Sequence, residues 1–166
     1  MKINNAEMPD HEFWALVEQH GGKRPTGGKR WRAKKGEPYW TVINGGMIVT
    51  AVEEFDVVDN YRYASGDYHR TREEAEKYRD RQLATMRVLD RKLELETEYG
   101  AEAVDWEKHK QNKYCARYEY TGGKFIVMSC VYLQASDAER YSTNYQVIKR
   151  LIEEMPNDLK LMMGVE

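Results

Sequence analysis

The chain has 166 residues, a formal net charge of −2, 41% apolar and 33% charged residues. That length bounds it to one domain or two small units built together, and the composition is that of a folded protein with a heavily charged surface. Near-neutrality excludes a nucleic-acid polycation or a strongly acidic mimic, so any electrostatic role must come from local patches.

No stretch of about 18 apolar residues is present, and the opening MKINNAEMPDHEF has no apolar signal-peptide core, so a soluble chain without a membrane segment is expected. The two cysteines, Cys115 and Cys130, form neither a disulfide framework nor a zinc motif, which points to a reducing cytoplasm. Twelve tyrosines favour half-buried strands or an interface, where a ring packs while its hydroxyl stays wet.

In chain order, Asp10 caps a predicted short helix to about His20, with Phe13, Leu16 and Val17 on its apolar face. Gly21 to Gly36 then holds seven Lys/Arg and no acid among scattered Gly and Pro, and reads as a mobile basic loop. Tyr39–Ile43, a turn at Asn44-Gly45-Gly46 and Met47–Phe55 predict a β-hairpin. A third strand is expected around Tyr61–His69. Thr71-x-x-Glu74 is a capping box opening a helix to about Tyr99, with Gly100 as its stop and Ala75, Tyr78, Gln82, Met86, Leu89 and Leu93 as its apolar stripe.

A second unit follows Trp106. Lys113–Tyr120 and Phe125–Leu133 form another predicted hairpin. Taking Gly122-Gly123 as a two-residue turn sets Tyr120 against Phe125, Tyr118 against Val127, Ala116 against Ser129 and Tyr114 against Val131 on a core-facing side. The same register sets Cys115 opposite Cys130, where two small packed side chains compete with a cross-strand bridge. Ser136-x-x-Glu139 is a second capping box, opening a helix with Tyr141, Tyr145, Ile148, Ile152 and Met155 in register and closed by Pro156. Leu159–Val165 reads as an apolar tail docked on the core.

The expected fold class is therefore α+β: a short N-terminal helix and basic loop (1–36), a ββ(β)α unit (37–100) and a ββα unit (101–166), in a pseudo-duplicated arrangement.

The candidate partner-binding set is Lys23, Arg24, Lys29, Arg30, Trp31, Arg32, Lys34 and Lys35. A flexible cationic arm with one aromatic can neutralise phosphates and stack on a base, or meet an acidic protein surface. A solvated loop with Trp31 tucked into the core is the plainer alternative. Glu53, Glu54, Asp56, Asp59 and Asp67 form a loose acidic set, read as a solvated sheet edge rather than a cation site. His11, His20, His69 and His109 are scattered, and His69 reads as a packing residue. No phosphate loop, nucleophile elbow or metal motif occurs, so no catalytic residue, metal or cofactor is expected.

Trp31, Gly36-Glu37-Pro38-Tyr39-Trp40, Asp59, Arg62-Tyr63 and Gly66-Asp67-x-His69-x-Thr71-x-Glu73-Glu74-Ala75-Glu76 carry a resemblance. The pattern, W…GxxYY…GN-x-F-x-T-x-EEAE, is similar to that of small proteins encoded by phages and prophages, and spans Trp31 to the C-terminus. Asp67 stands where the pattern has Asn, and His69 where it has an aromatic. The resemblance implies no chemistry. It implies a context: accessory proteins that act in the host bacterial cytoplasm by binding a host protein or protein–nucleic acid complex, with counter-defence (anti-CRISPR-like) inhibition among their roles. A direct nucleic-acid binder and a small metal protein or enzyme without a recognisable motif are the alternatives.

Overall fold

The computed structural model describes residues 30–108, 110–130 and 140–165, with the backbone alone described at Cys130. The predicted N-terminal helix, the second capping box and the cations Lys23, Arg24 and Lys29 lie outside these residues. The described residues form an α+β fold of four helices and two antiparallel two-stranded sheets. Contacts divide the chain into two compact units, Met1–Ala75 and Glu76–Glu166. No helix among the described residues is long and apolar enough to cross a membrane.

In the first unit, β1 (Pro38–Ile43) and β2 (Met47–Val52) pair with Trp40 opposite Thr50. The connection at Asn44–Gly46 is a single tight turn in which Gly45 and Gly46 both take φ near +80°, a region closed to most side chains. The expected third strand does not form. Val57–Ser65 is instead a helix, α1, because Asp56 accepts a hydrogen bond from the Asp59 amide at 2.8 Å and caps it. Gly66, at φ 92°, ends it in the left-handed conformation. Of the strand only one ladder rung survives, Trp40 with His69 on the free edge of β1, at 2.9 and 2.8 Å.

The long helix α2 (Arg72–Glu98) starts as its capping box predicts, with the Glu74 amide on the Thr71 hydroxyl. The Glu74 carboxylate turns back to accept from the Arg70 amide at 2.8 Å. Ala75 is buried as expected, but farther along the buried face departs from the expected stripe. Ala84, Val88 and Leu95 are buried, whereas Met86 and Leu93 are 61% and 65% exposed. The inward face is chosen by what it meets in the second unit. Leu95 packs with Val147, Ile148 and Leu151, and Val88 with Leu159 and Met162. Arg91 reaches Glu154, Arg87 reaches Asp158 and Arg81 reaches the Met162 carbonyl on the same side.

In the second unit β3 (Lys113–Glu119) pairs with β4 (Lys124–Cys130) two residues out of the expected register, with Tyr118 opposite Phe125. The connection spans Tyr120–Gly123, four residues rather than two. This brings the Tyr118 and Phe125 rings edge to face at 5.1 Å, a cross-strand contact that the shorter turn would have spent on Val127. An even shift preserves sidedness, so Tyr114, Ala116, Phe125 and Val127 pack on the core as expected, but Tyr120, expected on the same side, is 79% exposed, and Lys113 and Cys115 on the opposite face of β3 are buried as well. It also moves Cys115 opposite Met128 and the Cys130 backbone opposite Lys113, which removes the cross-strand pairing of the two cysteines.

Helix α3 (Tyr145–Glu154) begins at Asn144, which accepts from the Gln146 amide at 2.9 Å. Tyr141 therefore precedes the helix instead of lining it. The expected C-terminal tail is a further helix, α4 (Pro156–Met163), with Pro156 in its first turn and Leu159 and Met162 buried.

Candidate functional site

The first unit is organised around two carboxylates that the sequence suggests belong at a wet edge. Glu53 is fully buried and Asp59 is 4% exposed. Glu53, just past β2, accepts from Arg32 Nε at 2.8 Å, Arg32 Nη2 at 3.0 Å, the Tyr68 hydroxyl at 2.7 Å and the Phe55 amide at 2.8 Å. Asp59, on the inner face of α1, accepts from the Tyr39 hydroxyl at 2.6 Å and the Glu54 amide at 2.7 Å. Arg62 donates to the Tyr39 hydroxyl at 2.9 Å. A buried ion is tolerated when its lone pairs are met in this way, and costs several kcal/mol when they are not.

Tyr39 and Tyr68, which supply two of these hydroxyls, are stacked at 3.9 Å with an interplanar angle of 13°. Tyr63 meets Tyr68 edge on, and Trp31 lies against the same cluster with Ala33 buried beneath. Burial, helped by Asp59, pushes the Tyr39 hydroxyl up to about 12. Burial and the Glu53 carboxylate also raise Tyr68. Both tyrosines are thus held as donors. Burial pushes Asp59 upward, but the hydroxyl of Tyr39 and the backbone donors outweigh it and leave the carboxyl below its ordinary value. Burial lowers the His69 imidazole against the opposing pull of Asp67 and Glu74.

The described part of the basic segment is folded into this arrangement. Arg32 is the partner of Glu53 and also donates to Asn60 at 2.8 Å. Arg30 donates to the Tyr63 carbonyl, lies 4.4 Å over the Tyr63 ring, and its own carbonyl accepts from the Tyr63 hydroxyl. Trp31 is half-buried and faces Arg70. Lys34 and Lys35 remain exposed, with Lys35 3.9 Å from Glu54. The acidic set is likewise absorbed: Asp56 caps α1 and Asp67 accepts from the Val42 amide at 2.8 Å. Among the described residues no group of three His, Cys, Asp or Glu is placed to hold a metal ion.

What the network supports is an exposed apolar face. Val52, Phe55, Val57, Val58 and Tyr61 are 43–73% exposed, at the end of β2, the following loop and the outer side of α1. Val57, Val58 and Tyr61 share a helical face by their spacing. Phe55 has a φ of 58°, and no other described non-glycine residue has a positive φ. A bulky residue in that region is costly, on the order of 1–2 kcal/mol, and persists only where the surroundings over-determine it. Here they do: its amide is held by Glu53, its carbonyl accepts from Asn60, and Arg32 lies 4.9 Å over its ring. The residue before a helix cap commonly clips onto the fourth helical position. That position is Asn60, which leaves the Phe55 ring unstapled by an apolar partner.

None of these five residues was singled out from the sequence. A hint was available in Asp56-x-x-Asp59, an acidic cap followed three residues later by an acid, which signals a helix start where a strand was expected. Comparison with protein-family models, curated proteins and solved structures finds no match to this chain.

Two outcomes follow from the network. Glu53→Gln removes the charge that Arg32 faces and is expected to destabilise the protein by about 2–4 kcal/mol in urea unfolding, while Tyr68→Phe costs about 1.5–3 kcal/mol. A Glu53→Gln variant within about 0.5 kcal/mol of the wild type would contradict the assigned role. His69 and Asp59 both have depressed values in the folded state. Their stabilising contributions are complete above the unfolded values, about 6.5 and 3.9, and are lost as pH falls through the folded ones. Melting temperature should therefore fall in two stages on acidification, and His69→Phe should abolish the first stage alone.

Proposed function

We propose that the chain acts by binding a partner protein through the apolar face centred on Phe55. The observation that carries this reading is the conjunction at one residue of backbone strain, multiple restraint and solvent exposure. Interface energy concentrates in a few rigid aromatic anchors, and a ring already fixed in place loses little entropy on docking. Five exposed apolar residues within ten positions of chain point the same way.

The resemblance to small phage and prophage proteins supplies the kind of partner. The chain would block a host factor in the bacterial cytoplasm, a nucleic-acid-targeting defence complex of CRISPR type being the instance that this context favours. The exposed Lys34 and Lys35 flank the same unit and fit a partner that carries acidic groups or bound nucleic acid. Direct nucleic-acid binding is the weaker reading, because Arg30 and Arg32, two of the cations on which it rests, are engaged by Tyr63 and Glu53.

Phe55→Asn separates the two roles of this residue, since Asn tolerates a positive φ. The variant is expected to keep or raise the melting temperature while weakening partner capture from host lysate by roughly 30-fold, the scale of a lost aromatic hot spot of about 2 kcal/mol. Capture by Phe55→Asn and Tyr61→Ala variants equal to that of the wild type would remove this face from the function. A steep salt-dependent shift of DNA or RNA, insensitive to Phe55, would favour the second reading.

A further inference from the structure

Helix α2 leaves an apolar seam uncovered on the side away from Ala84, Val88 and Leu95. Leu83, Met86 and Leu93 are 38%, 61% and 65% exposed. With Arg79, Asp90 and Thr97 they fall at alternating spacings of four and three, the 3.5-residue period of a coiled-coil seam. Three of the six positions are apolar and two carry opposite charges, a pattern that a second helix can match along this 27-residue helix.

We propose that this seam pairs with the same seam of a second copy of the chain, antiparallel about a two-fold axis. In the register that overlaps the two helices along their full length, Leu83 lies on Met86 of the second copy and Arg79 opposes its Asp90. Symmetry repeats both contacts. At the seam's edge Asp80 then neighbours Arg87 of the second copy, again twice. Charge complementarity selects this register. Sliding by one heptad to match Leu83 with Leu93 would bury Asp90 against Met86 and bring Asp80 beside Glu94, a like-charge approach. The cations can take a second acceptor. Arg79 now bonds to its neighbour Asp80 and Arg87 to Asp158, and a guanidinium has five N–H donors. Leu93 falls one heptad outside the central layers, opposite Glu76 of the second copy. A two-fold contact of this type is self-complementary and closes at two copies. This inference does not depend on the Phe55 face.

Sedimentation equilibrium on the full chain, from about 1 to 100 µM, tests it, with circular dichroism to verify helix content. The wild type is expected to reach a dimer in this range. Asp90→Arg should raise the dissociation constant at least about tenfold, and Arg79→Asp combined with Asp90→Arg should restore it to within about threefold. Leu83→Glu should abolish the dimer, and Leu93→Glu should weaken it less. A wild type that stays monomeric throughout would overturn the proposal. So would failure of the double charge swap to rescue, or a Leu93→Glu effect equal to that of Leu83→Glu.

Discussion

One buried carboxylate organises the first unit. Glu53 stands where β2 ends, and its four hydrogen bonds come from three places in the chain: a fork of two from Arg32, the hydroxyl of Tyr68 and the amide of Phe55 two residues on. Because its oxygens are met by four donors, the charge can sit at zero exposure, and because Arg32 and Tyr68 are distant in sequence while Phe55 is local, meeting them fixes several segments at once. The segment around residue 32 is drawn in, Tyr68 is set for stacking on Tyr39, and the chain after β2 is bent so that Phe55 adopts its left-handed backbone. A second carboxylate, Asp59, repeats the device one turn into α1 and ties it to Tyr39 and to the Glu54 amide. Polar interiors of this kind tend to specify a conformation more than they add stability. Here the conformation specified is that of an exposed apolar edge.

The residues that carry the resemblance to phage-encoded proteins lie largely inside this construction. Tyr39, Asp59 and Arg62 form one chain of hydrogen bonds, Trp31 and Tyr63 flank Tyr68, and Thr71 caps the long helix. Such a pattern describes how a unit is built and says little about what it binds. The residues that would meet a partner, Phe55, Val57, Val58 and Tyr61, fall between the pattern's fixed points. The two units also share a local device. The second residue of β3, Tyr114, forms a single rung with Ser142, three residues before α3, just as Trp40 in β1 bonds His69 three residues before α2.

Much of this architecture was legible in the residues. The existence of both hairpins, the capping box at Thr71, the stop at Gly100 and the core-facing placement of Tyr114, Ala116, Phe125 and Val127 follow from local signals that the fold leaves intact, whereas the register of the second hairpin and the place of Tyr120 do not. The expectations that failed did so where a long-range partner decided the outcome. The Tyr61–His69 segment has tyrosines that suit a strand, but the Asp56 cap and the pull of Glu54 and Tyr39 on Asp59 make most of it a helix. The stripe on α2 was read from its own apolar residues, whereas its buried face is chosen by the partners of Val88 and Leu95 on α3 and α4, with Arg81, Arg87 and Arg91 reaching acceptors on the same side. Arg30 and Arg32 looked solvated because their partners, Tyr63 and Glu53, lie 33 and 21 residues downstream. Charge counted along a sequence does not reveal which charges are paired across the fold.

The central claim, that buried carboxylates rather than sheet pairing immobilise the loop bearing Phe55, is open to amide hydrogen exchange at single-residue resolution. The amides of Glu54 and Phe55 belong to no strand or helix, yet they donate to Asp59 and Glu53. They are expected to exchange as slowly as the amides of the β1–β2 ladder, and to lose that protection in Glu53→Gln while the ladder retains it. Exchange of both amides at the rate of an open loop in the wild-type protein would contradict it.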